Sequence, residues 1–150
     1  SILLFSQFTK MLEIIRDKLE NSNISYYYLD GTMKAEERKM EIDNFNSDKE
    51  AVFLISLKAG GTGLNLTKAD IIIHFDPWWN PAVEDQASDR AHRIGQKNVV
   101  QVYRLLTEGT IEEKILHLQE RKRDLTESII KPGESFLNSL SEDEIRELFR

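Results

Sequence analysis

Gln86, Arg90 and Arg93 are separated by four and then three residues, inside Asp85-Gln86-Ala87-Ser88-Asp89-Arg90-Ala91-His92-Arg93-Ile94-Gly95-Gln96. In an α-helix those steps bring side chains out on one side. Two guanidinium groups and an amide rising together can grip an anion such as a phosphate. A merely solvated arginine face fits the same spacing. A second candidate for anion chemistry is Lys58-Ala59-Gly60-Gly61-Thr62-Gly63, directly after the apolar run Ala51 to Leu57. Glycines there permit positive φ and close backbone approach, and successive N–H groups can form a nest for an anion. A glycine-rich turn with no ligand is the alternative. The stretch lacks the Gly-Lys-Ser/Thr ending of a phosphate-binding P-loop and is not a dinucleotide fingerprint.

Other chemistries find less support. His74, His92 and His117 have no metal-site spacing, and there is no cysteine to supply a thiolate or a disulfide. Asp85 and Asp89 resemble a carboxylate pair, but on the arginine helix they are expected to orient Arg90 and Arg93 through salt bridges. His92 is expected to support that motif, and His74 to be a buried strand residue.

The arginine helix is expected to open at Asn80, a good N-cap, with Pro81 at the first helical position. Glu84 and Asp85 suit the positive end of its dipole. Val83, Ala87, Ala91 and Ile94 recur at helical spacing, so the helix is expected to reach Ile94 and close at Gly95. Strands are expected at Ile2 to Phe5, Ile24 to Leu29, Ala51 to Leu57, Ala69 to Phe75 and Val99 to Leu106. Helices intervene: one with Phe8, Met11, Leu12, Ile15 and Leu19 on its buried face, and a polar one from about Lys34 to Phe45. This alternation predicts an α/β fold, a parallel sheet flanked by helices on both faces. Ligands on such sheets gather at the carboxyl ends of the strands, where Asp30-Gly31-Thr32, Gly60 to Gly63 and Asp76 to Trp79 all lie.

The last third changes character. Thr110 with Glu113 reads as a capping box opening a long helix with the stripe Ile111, Ile115, Leu118, Leu125 and Ile129. Lys131-Pro132-Gly133 stops it. Residues 1–131 are therefore read as one lobe and 132–150 as an acidic, amphipathic extension ending in a short helix after Ser141. That extension packs either on a second lobe or back on its own.

The chain has 150 residues and a net charge of −6, which argues against a simple basic nucleic-acid binder. It says little about a single groove. No apolar run reaches membrane-span length, and no signal peptide opens the chain. Ser1 stands directly on the apolar run Ile2-Leu3-Leu4-Phe5, so the chain is read as a fragment of a larger protein.

Asp89-Arg90-Ala91-His92-Arg93-Ile94-Gly95-Gln96 resembles motif VI of the Swi/Snf-type helicase-like DNA-dependent ATPases. Leu54 to Leu66 resembles their motif V, Ile2 to Phe8 their motif IV, Leu29 to Met33 with Glu37-Arg38 the motif IVa region, and Asp76 to Pro81 the segment between V and VI. The resemblance covers about Ile2 to Leu118. It implies a C-terminal RecA-like lobe, fold of the P-loop NTPase type, in an ATP-dependent double-stranded DNA translocase related to chromatin remodellers. It implies that Arg93 is the main arginine finger, Arg90 its companion, and Gln86 a coupling residue, with Gly63 near the nucleotide. Lys58, Gly61 and Thr62 would touch DNA phosphate, as would Gly31 and Thr32. Ser6 and Gln7 would make DNA or inter-lobe contacts, capping of the first helix by Ser6 being an equal account. Trp79 would approach DNA, and Trp78 would anchor packing. ATP with Mg would sit mainly on an N-terminal RecA-like lobe of the same polypeptide, so this fragment alone would be inactive. The parent would be nucleoid-associated in a bacterial cytoplasm or nuclear in a eukaryote. Two rivals are a nucleotide-sugar-type α/β transferase using Gly60 to Gly63 for a diphosphate, and a non-catalytic nucleic-acid or protein binding module.

Overall fold

A computed structural model describes residues 1–61, 63–78, 80–91, 98–126 and 141–148. The strands are β1 (Ile2–Ser6), β2 (Tyr26–Leu29), β3 (Val52–Ser56), β4 (Ile71–His74) and β5 (Gln101–Arg104). The helices are α1 (Thr9–Asn21), α2 (Ala35–Ser47), α3 (Pro81–Ser88), α4 (Ile111–Thr126) and α5 (Glu142–Leu148). The strands form one sheet in the order β2-β3-β1-β4-β5, every neighbouring pair parallel.

The three central strands are apolar runs because both their faces are covered. Leu4 pairs with Leu54 and Ile73, while Phe5 pairs with Ile55 and His74. Alternation sends Leu3, Phe5, Phe53 and Ile55 to one face, where Phe45 of α2 and Ala87 of α3 complete the core. Leu4 and Leu54 go to the other face and meet Leu12 of α1, with Ile15 and Leu19 packed beside it. Helices thus lie on both faces, as the alternation requires.

The elements are shorter than the apolar runs. The last strand spans Gln101–Arg104, not Val99 to Leu106, and its four residues are exposed. Phe8 is not on the buried stripe of α1. It is the N-cap, with extended backbone (φ −102°, ψ 110°) and 56% exposure, so it falls outside the helical repeat. At the opposite sheet edge, Glu41 of α2 accepts the Tyr28 N–H at 3.0 Å, closing a ladder position that an edge strand would leave open.

The largest correction concerns α3, which ends at Ser88 and does not run to Ile94. Asp89 still donates to Asp85 O at 2.9 Å, but the Arg90 and Ala91 amides reach back only three residues, to Ala87 O and Ser88 O at 3.2 and 3.1 Å. That tightening is a 3₁₀-type helix end. The Arg90 carbonyl accepts Leu66 N at 3.2 Å, so a tertiary contact takes the group that a longer helix would use.

α4 opens as a variant of the expected capping box. Glu113 accepts the Gly109 N–H at 3.0 Å and Thr110 Oγ1 accepts the Glu112 N–H at 3.3 Å. Ile115 is buried. The expected stop at Lys131-Pro132-Gly133 lies outside the described residues. The short terminal helix is present as α5, with Ile145 N bonded to Ser141 O at 3.1 Å.

Candidate functional site

The parallel sheet delivers four loops to its carboxyl edge: Gln7 after β1, Asp30 to Thr32 after β2, Leu57 to Gly63 after β3, and Phe75 to Trp78 after β4. The ladder runs one residue past the strands there. Leu57 N donates to Ser6 O and Phe75 N to Phe5 O, both at 2.9 Å.

The loop after β3 turns at once into a 3₁₀ turn, Ala59–Gly61. A Cβ on Gly60 would stand 3.0 Å from Phe5 Cε1, so glycine is needed where the turn lies flat on the ring. Gly63 has φ +54°, the left-handed region that favours glycine. Lys58 is exposed between the buried Leu57 and Ala59. The loop is anchored along its length. Arg38 of α2 donates to Ala59 O at 3.0 Å, and Asn46 of α2 to Asn65 O at 3.1 Å. Leu66 N then bonds Arg90 O, so the loop ends on the turn that carries the arginine.

Gln86 and Arg90 do not form one projecting stripe. Gln86 is exposed on α3, whereas Arg90 sits in the turn beyond the helix and is 8% exposed. Asp85 lies 3.6 Å from Arg104 of β5. Val83, Ala87 and Ala91 face the core as expected. Thr62, Trp79, His92, Arg93 and Ile94 lie outside the described residues.

After β1, Ser6 is 1% exposed. Its hydroxyl donates to the Asp76 carboxylate and accepts the Phe8 N–H at 3.1 Å. The other Asp76 oxygen accepts the Gln7 N–H at 2.8 Å, and Gln7 Nε2 donates to Pro77 O at 3.3 Å. Ser6 therefore holds the loop from inside, and the partly exposed Gln7 is the residue offered outward.

After β2, Asp30 Oδ1 accepts both the Thr32 N–H at 2.8 Å and the Thr32 hydroxyl at 2.7 Å, an Asx turn. Tyr28 donates to the other oxygen at 3.0 Å. Burial works to raise the Asp30 carboxyl. The hydroxyl and amide of Thr32, then Tyr28 and the Met33 amide, outweigh it and hold the group below its usual value. Burial and the same bond push the Tyr28 phenol up to about 12. Gly31 is exposed, with nothing within 4 Å of where a Cβ would stand. Lobe packing does not demand glycine there.

After β4, His74 is 1% exposed, stacks on Phe5 at 5.6 Å between centroids, and meets Ser88 Oγ at 3.1 Å. Burial pushes its pKa down, against a partial upward pull from Glu84. Trp78 packs against the core as an anchor. Its N–H is accepted by Glu84 at 2.7 Å and its carbonyl accepts Gln119 Nε2 at 3.1 Å. Glu84, 2% exposed, also takes Arg104 Nε at 2.8 Å. Sequence reasoning gave Glu84 only a helix-dipole role and gave Arg104 none. The available signal was an arginine closing an otherwise uncharged strand.

No group of three or more His, Cys, Asp or Glu side chains among the described residues is disposed to hold a metal ion. No helix among them is long and apolar enough to cross a membrane.

The helicase conserved C-terminal domain family matches residues 1–95. Over 149 residues the chain is 46% identical to an uncharacterised ATP-dependent helicase of Mycoplasma genitalium, covering 99% of this chain and 14% of that protein. It is 42% identical over 154 residues to the SWI/SNF-related matrix-associated actin-dependent regulator of chromatin subfamily A member 1 of Mus musculus, covering 99% of this chain and 15% of that one. The crystal structure of the C-terminal part of the Fun30 ATPase domain matches with a TM-score of 0.79 at 36% identity, over 99% of this chain and 45% of that chain. The chain thus spans roughly a seventh of the length of these two sequence relatives. Strand order, the sequence of loops along the carboxyl edge and the relatives agree, and the chain belongs to the helicase conserved C-terminal domain family, in its Swi/Snf-type branch, as the RecA-like second lobe.

Proposed function

We propose that this lobe is half of an ATP-driven double-stranded DNA translocase, working with an N-terminal RecA-like lobe of the same polypeptide. The observation that carries the reading is the anchoring of the glycine loop. Arg38 holds its start and the Arg90 carbonyl accepts the Leu66 N–H at its end, so the proposed DNA-contacting loop is tied directly to the turn that carries Arg90. DNA engagement at one is then felt at the other.

In this reading, ATP with Mg would be held mainly by the other lobe, and its terminal phosphoryl group would pass to water with ADP as the leaving group. The donor set here suits an anion, not a cation: guanidinium groups and a glycine loop. Arg93 reaches across the cleft to stabilise charge on the transferring phosphoryl group. Arg90, already tucked into the lobe, supports it. Gln86 couples the lobe interface to nucleotide state, and Gly63 gives the backbone room beside the nucleotide. Lys58, Gly61 and Thr62 contact the DNA backbone. The bare Gly31 backbone, unexplained by packing, offers a second phosphate contact, with Thr32 joining after its donors leave Asp30. Gln7 and Trp79 complete the DNA face, and Ser6 positions Gln7. Such contacts carry no base information, so translocation is largely sequence-independent.

The test is ATP turnover by the full parent, with and without duplex DNA, for wild type and Arg93→Ala. The substitution is expected to lower DNA-stimulated turnover by roughly 10³-fold or more, the scale of an arginine finger, while ATP still binds. The lobe alone is expected to hydrolyse no ATP. Unchanged turnover in Arg93→Ala would reduce the arginine segment to a structural element.

A further inference from the structure

A buried carboxylate outside the proposed contacts ties three elements together, α3, the loop after β4 and β5. Glu84 stands in the first turn of α3 with 2% exposure, and both of its oxygens are used. One accepts the Trp78 N–H at 2.7 Å and the other accepts Arg104 Nε at 2.8 Å. Arg104 ends β5 and also lies 3.6 Å from Asp85. Gln119 of α4 holds the Trp78 carbonyl at 3.1 Å. The Trp78 backbone is therefore gripped on both sides, by α3 and by α4, just before the chain continues to Trp79.

Packing does not require this arrangement. Glu84 gives up its hydration to make the pair while Arg104 stays about a third exposed, and a carboxylate buried in this way is often no better for stability than an apolar residue of the same volume. Its distinctive property is direction: it admits one geometry. We infer that Glu84, with Arg104, is a positioning residue that fixes the loop after β4 relative to α3, the helix that leads into the Arg90 turn. It transmits DNA contact at that loop to the ATP-facing segment. The inference rests on the proposed motor reading, which it deepens by naming the joint between its two halves. Asp76 does not serve the same end, because it faces back to β1 through Ser6 and Gln7.

Glu84→Gln in the parent protein removes the charge and leaves one acceptor oxygen for two donors. DNA-stimulated turnover is expected to fall by up to about a hundredfold, the scale of a misplaced reacting geometry, with DNA-free turnover little changed. Amide exchange in the Phe75 to Asn80 segment is expected to accelerate while β3 stays protected. A purely structural role predicts something different: both activities falling together and β3 loosening with the loop. That result, or a variant coupled like wild type, overturns the inference. Glu84→Gln with Arg104→Met removes the orphaned guanidinium and serves if the single variant unfolds. A folded double variant that keeps full DNA stimulation also overturns it. Wild-type parent that ignores DNA refutes the motor reading instead, and the positioning role is then decided by the exchange pattern alone.

Discussion

The loops after β2 and β4 leave the same edge of the sheet, and opposite means hold them. After β2, one aspartate serves neighbours no more than three residues away: Thr32, Tyr28 and the Met33 amide. The turn is exposed and local. After β4, Asp76 holds Ser6 and Gln7 from β1, Glu84 holds Arg104 from β5, and Gln119 arrives from α4. That loop is braced across the sheet through two buried carboxylates. A local turn can rearrange without disturbing the lobe, whereas the braced loop shifts only if the strands and helices around it shift too. If the lobe works as proposed, the first suits adaptation to a passing DNA backbone, and the second suits transmission.

Removing the Asp76 carboxylate tests the comparison most severely. Asp76→Ala leaves the Ser6 hydroxyl, which is 1% exposed, with only the long contact to the Phe8 carbonyl at 3.3 Å and frees the Gln7 amide. Two hydrogen bonds to a charged acceptor are lost in a place that water does not readily fill. The expected cost is about 3 kcal/mol, read from urea unfolding of this chain. A loss below about 1 kcal/mol would show that the β1–β4 brace is redundant and that the two loops differ less than their geometry suggests.

The pH dependence of stability gives a smaller effect in the same braced region. His74 is buried, and burial lowers its pKa in the folded lobe below the unfolded value. Ser88 and Glu84 are on α3, Arg104 is on β5, and Asp76 and Asp85 also face it through charge. Between the folded and unfolded pKa values the unfolded chain binds the extra proton, so stability rises with pH across that window. It is fully present above about 6.5, the ordinary histidine value, and is lost as pH falls below it. Unfolding midpoints compared between wild type and His74→Gln isolate this residue from His92 and His117. The variant is expected to lose the slope below that pH, and an identical slope in both proteins would assign it to other groups.

Much of this arrangement was legible in the sequence, for physical reasons. The strands were readable because a sheet covered on both faces demands uninterrupted apolar runs, and Leu54-Ile55 and Ile71-Ile72-Ile73 supply them. Gly60 was readable as a close approach, and Asn80-Pro81 as a helix start, since its side chain accepts the Ala82 N–H at 3.0 Å. The end of α3 was not readable. Val83, Ala87 and Ala91 keep helical spacing past Ser88, but the chain tightens there and the Arg90 carbonyl in the turn beyond is taken by Leu66, 24 residues earlier. The Glu84–Arg104 pair was hidden in the same way. Neither segment points to the other: the β4–β5 register sets Arg104 beside His74, and the return of the chain through α3 brings Glu84 to it. Periodicity reports which face is buried; it does not report which distant partner arrives there.

The smallest effect belongs to the local turn and sharpens the contrast from the other side. Thr32→Val removes the hydroxyl that reaches Asp30 at 2.7 Å and keeps the backbone N–H at 2.8 Å. The Tyr28 hydroxyl still serves the other oxygen. With the turn exposed, water replaces the missing donor, so the expected loss is only about 0.5 kcal/mol. The titration of Asp30 is the finer gauge. Its carboxyl is held below the usual value against the pull of burial, chiefly by Thr32. A folded pKa below the unfolded one adds stability above the unfolded value, which is lost as pH falls through the folded pKa. Thr32→Val moves the Asp30 carboxyl upward, measured by NMR titration of its side-chain carbon, and so narrows that window from below. An unmoved Asp30 would mean that Tyr28 and the backbone amides alone set the turn. The loop would then be held from the strand end, like the loop after β4, and not by its own residues.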